Sequence, residues 1–85
     1  MTLYFVNGSR QKKKIMESDY VEDIYDSILD FFESHGHLPH FLDMMQSDKD
    51  AVITFESNCE HFLVEDAEED CNELATYIHR FPEEL

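Results

Sequence analysis

The sequence predicts a small α+β domain. Two β-hairpins form a four-stranded antiparallel sheet, with two main amphipathic helices in the order ββα-ββα and a short extra helix. Three observations lead there. A β-branched and aromatic run, Thr2 to Asn7, runs into Asn7-Gly8, a dipeptide suited to tight hairpins because both positions tolerate positive φ. Two later segments carry apolar residues at three- and four-residue steps behind a capping pattern. A shift of 50 positions lays Val21, Ile24, Ile28 and Phe31 over Cys71, Leu74, Ile78 and Phe81, so the two halves share a plan. Two such units place both helices on one face of the sheet.

The return strand of the first hairpin spans about Arg10 to Met16. Its Lys12, Lys13 and Lys14 are charges of the kind that keep an exposed edge from pairing with other chains. Ser18-Asp19 offers an N-cap, Asp19 and Glu22 stand at capping-box spacing, and Val21, Ile24, Tyr25, Ile28, Leu29 and Phe32 form the buried stripe. Gly36 supplies a stop, and Pro39 prevents continuation. Pro39 then opens the short extra helix, which carries Phe41, Leu42 and Met45. Asp48-Lys49-Asp50 reads as a turn. Ala51–Phe55 and His61–Glu65 read as strands joined through Ser57-Asn58. The last helix opens at Asp66, with Glu69 at capping-box distance, and ends before Pro82. It buries Ala67, Cys71, Leu74, Ala75, Ile78 and Phe81.

Charge is the unusual property. The 85 residues hold 20 Asp and Glu against 6 Lys and Arg, a net charge of −14 at pH 7. From Ile15 onward only Lys49 and Arg80 oppose all 20 acids. The apolar share of 42%, with seven Phe and four Tyr, is that of a folded protein, so residues 1–85 read as one acidic α+β domain. Such a charge repels phosphate backbones and anionic lipid, which argues against direct contact with nucleic acid or membrane. No apolar run approaches the ~20 residues of a bilayer span, and Met1–Asn7 lacks the basic lead of a secretory signal. Two cysteines are too few for a stapled secreted scaffold, so a cytoplasmic setting is expected.

The acids cluster. Glu22, Asp26 and Asp30 lie four apart with Asp23 and Glu33 beside them; Glu65, Asp66, Glu68, Glu69, Asp70 and Glu73 form a second group, and Asp43, Asp48 and Asp50 a third. Like charges four apart oppose helix formation by about 0.2–0.5 kcal/mol per pair. A helix needing only solubility would mix its signs. A row of carboxylates can instead compete for a surface shaped to hold phosphates. The expected function is therefore a small acidic inhibitor that occupies the basic surface of a nucleic-acid-binding protein or nuclease. Its partner-binding residues would be Glu22, Asp23, Asp26, Asp30, Glu33, Glu68, Glu69 and Glu73. In size, acidity and lack of catalytic residues the chain resembles the small inhibitors of bacteriophages and mobile elements, which include DNA mimics, anti-restriction proteins and anti-CRISPR proteins.

Two alternatives stand beside this reading. The strands are apolar on both sides, so a second face around Tyr4, Val6, Val52 and Leu63 needs a cover. Either the Leu38–Met45 segment folds over it, or the chain is a homodimeric accessory or structural domain that uses it. An antitoxin or immunity protein against a basic nuclease fits the same charge. His35, His37, His40, Cys59 and His61 carry metal-ligating groups, but their spacing matches no zinc pattern, and no cofactor is expected. Gly-rich phosphate loops, H-E-x-x-H and nucleophile elbows are all lacking, so an enzyme is not expected.

Overall fold

Residues 1–36, 38–55 and 59–81 are described by the structure, a computed structural model. The chain runs β1 (Thr2–Val6), β2 (Lys12–Glu17), α1 (Val21–Ser34), β3 (Asp43–Ser47), β4 (Asp50–Thr54), β5 (His61–Glu65) and α2 (Cys71–Arg80), with a 3₁₀ turn at Glu68–Asp70 before α2. The five strands form one sheet in the order β2-β1-β5-β4-β3. Every neighbouring pair is antiparallel. The class is α+β, as the sequence indicates, but the sheet has five strands and the order is ββαβββα.

The extra strand replaces the short helix expected after Pro39. Phe41, Leu42 and Met45 have helical spacing, yet residues 43–47 alternate: Met44 packs against the core while Met45 is 63% exposed. Local turn chemistry favours the strand. The two-residue turn Asp48-Lys49 joins Ser47 to Asp50, with Asp48 in the left-handed region at φ 56° that Asp tolerates. Leu42 is buried among the core residues. The segment extends the sheet and does not cover its second face, because Leu38 and Phe41 are each 52% exposed. The expected tip at Ser57-Asn58 lies outside the described residues.

The first hairpin turns differently from its Asn-Gly signature. Arg10 N donates to the Asn7 carbonyl oxygen at 2.9 Å, and Arg10, rather than Gly8, is left-handed at φ 64°. This is the three-residue hairpin loop that ends on a left-handed residue. Asn7 holds it: its Oδ1 accepts from Ser9 N at 2.9 Å and from Gln11 N at 3.0 Å. In β2 a bulge follows, since Leu3 pairs with Met16 but Tyr4 pairs with Lys14, leaving Ile15 over. Consecutive Ile15 and Met16 can thereby both pack against the core.

Neither helix starts as its capping pattern suggests. α1 begins at Val21 without a side-chain cap. Ser18 Oγ accepts from Tyr20 N at 3.1 Å and donates to Asp23 Oδ2 at 2.7 Å, so Asp23 takes the place expected of Glu22. At the other helix Asp66 is left-handed, φ 59°, which closes β5. Ala67 N donates to the Lys49 carbonyl oxygen at 2.8 Å, and α2 starts only at Cys71.

Both helices cover one face of the sheet. Leu3, Ala51, Ile53, Phe62 and Val64 from the strands meet Val21, Ile24, Tyr25, Ile28 and Phe32 of α1 and Cys71, Leu74 and Ile78 of α2. Phe62, on the central strand, is fully buried, and its ring lies 5.2–5.6 Å from those of Phe5, Phe31, Phe32 and Phe55. Phe62→Ala should cost about 3–5 kcal/mol in urea unfolding, the range for emptying a core aromatic site. Arg10→Gly should stabilise by about 1 kcal/mol, because glycine relieves the left-handed penalty, whereas Arg10→Val should destabilise.

Candidate functional site

The stripe that buries α1 leaves the opposite side of that helix to solvent. With 3.6 residues per turn, Glu22, Asp26 and Asp30 stack along one line, and Glu33 and Asp23 flank it. All five are exposed. A carboxylate recurs every ~6 Å along this ridge. No Lys or Arg occurs on the helix, and among the described residues none of the five is in an ion pair. Glu22 and Asp23 stand in the first turn, where the helix dipole favours them; the last turn carries no basic residue. The C-terminal end is closed another way. His35 Nδ1 lies 2.8 Å from the Phe31 carbonyl oxygen, and its ring stacks on Phe31 at 4.2 Å.

The other three expected residues are placed differently. Glu68 and Glu69 lie on the 3₁₀ turn rather than on a helix face, beside Lys49, Asp66 and Asp70 around one shallow depression. Glu73 stands in the first turn of α2. The rest of that helix's outer side is Asn72, Thr76, His79 and Arg80, so α2 carries no acidic ridge. The two helices run in the same sense, since Tyr25 meets Tyr77 and, further along both, Phe32 meets Phe81. The acidic first turns therefore lie towards one end of the molecule.

The basic residues of β2 border the ridge. A groove of about 370 Å³ runs between the strand and α1, lined by Lys13, Lys14, Ile15 and Met16 on one side and Ser27, Asp30, Phe31 and His35 on the other. Lys14 Nζ is 2.8 Å from Glu17 Oε1. That hydrogen bond, reinforced by the opposite charge, raises the Lys14 pKa and lowers that of Glu17.

The second sheet face holds a pairing that sequence patterning misses. Lys12 Nζ sits 4.7 Å from the Tyr4 ring centroid and 3.3 Å from Glu65 Oε2. The register puts Lys12 on the Val6–His61 row and Glu65 on the Thr2 row, so the lysine side chain reaches diagonally over Tyr4 to meet the carboxylate. Around them Val6, Val52, Leu63 and Met45 stand on the same face, over which no described helix lies.

The histidine and cysteine candidates among the described residues do not converge. His40 and Cys59 are exposed, His61 stands on the second sheet face, and His37 is outside the described residues. Among the described residues no three His, Cys, Asp or Glu side chains come together as a cation site. His61 Nδ1 lies 3.3 Å from the Cys59 carbonyl oxygen, a main-chain contact. Cys71 is buried, and burial first, then the charges of Asp70 and Glu68, push its thiol pKa up. No described helix is long and apolar enough to cross a membrane.

A thiol reagent at neutral pH should therefore modify one cysteine rapidly. Cys59→Ser should remove that fast phase, while Cys71 should react only once the chain unfolds.

No family model matches the chain, and neither does any curated protein or solved structure.

Proposed function

We propose that this protein is a binding module whose α1 outer face docks on a basic surface of a partner protein, as a stoichiometric inhibitor of a nucleic-acid-binding protein or nuclease. The observation that carries this reading is the unmixed ridge of Glu22, Asp23, Asp26, Asp30 and Glu33, held on a helix whose other side is locked into the core. Carboxylates on a rigid helix keep a fixed spacing, so a partner's lysines and arginines meet them without the entropic cost of ordering a loop. Helix energetics point the same way. The like-charge pairs Glu22–Asp26 and Asp26–Asp30, with no counter-charge on the helix, weaken it, and a solubilising face would achieve its end with mixed signs. Glu68, Glu69 and Glu73 extend the negative field at one end and steer the encounter.

This mode of binding makes definite demands. It should weaken as salt rises, because exposed charges are screened beyond a Debye length of about 8 Å at physiological ionic strength. It should also compete with duplex DNA for the partner. The test is capture of basic proteins from a bacterial lysate on the immobilised chain, eluted in a salt gradient and challenged with DNA. Asp26→Lys with Asp30→Lys should weaken capture by about tenfold or more, the equivalent of ~1.4 kcal/mol. Capture that is indifferent to salt, to DNA and to the charge reversal would sink the reading.

A further inference from the structure

We draw no further inference here: the strongest candidate, the uncovered sheet face around Tyr4, Val6, Val52 and Leu63, carries none, because Lys12 and Glu65 already pair across it and nothing in the structure shows what covers it.

Discussion

Phe62 sits where the two halves of the chain meet, and much of the architecture depends on how it is buried. It lies on β5, the middle strand, flanked by β1 from the first half and β4 from the second. Its ring touches Phe5 across the β1 register, Phe31 and Phe32 on α1, and Phe55 just past β4. Edge-to-face contacts of this kind add about 0.5–1.5 kcal/mol each beyond area burial. A ring fixed on four sides fixes the angle of α1 to the sheet, and hence which side of α1 faces water. The position of the acidic ridge is a consequence of packing on the far side of the same helix.

Charge is sorted by layer. The helix layer carries the unmixed carboxylates of α1, while the sheet layer carries the lysines of β2 and two ion pairs. Among the described residues no ionised group enters the core, and its buried side chains are hydrophobic. A chain with net charge −14 tolerates its own repulsion because most of its described acids are exposed, screened by solvent and spread over separate elements.

The helices were legible because their signal is long. Apolar positions at three- and four-residue steps over 14 residues leave little choice, and Val21, Ile24, Ile28, Leu74 and Ile78 are buried as that period requires. The acidic ridge follows from the same period, so it too could be read from residue spacing. Short elements behaved otherwise. Residues 41–45 offer four apolar positions, which suit a helix turn and a strand equally, and a two-residue turn at Asp48 decided between them. Capping patterns failed for a related reason: Ser18 and Asp23 satisfy each other, and Asp66 is consumed by the turn out of β5. The Lys12–Glu65 pair depends on the β1–β5 register, which no local pattern encodes.

The order of the strands has a consequence for the birth of the molecule. β1 lies inside the sheet, and its second neighbour is β5, so residues 2–6 wait for residues 61–65. A ribosome adding about 5–20 residues per second holds that inner edge bare for several seconds. During this interval the edge Leu3-Tyr4-Phe5-Val6 offers apolar, uncharged backbone to any passing strand. The lysines of β2 and the carboxylates of α1 have already been synthesised by then. The first half of the nascent chain therefore carries its own electrostatic guard before its sheet can close.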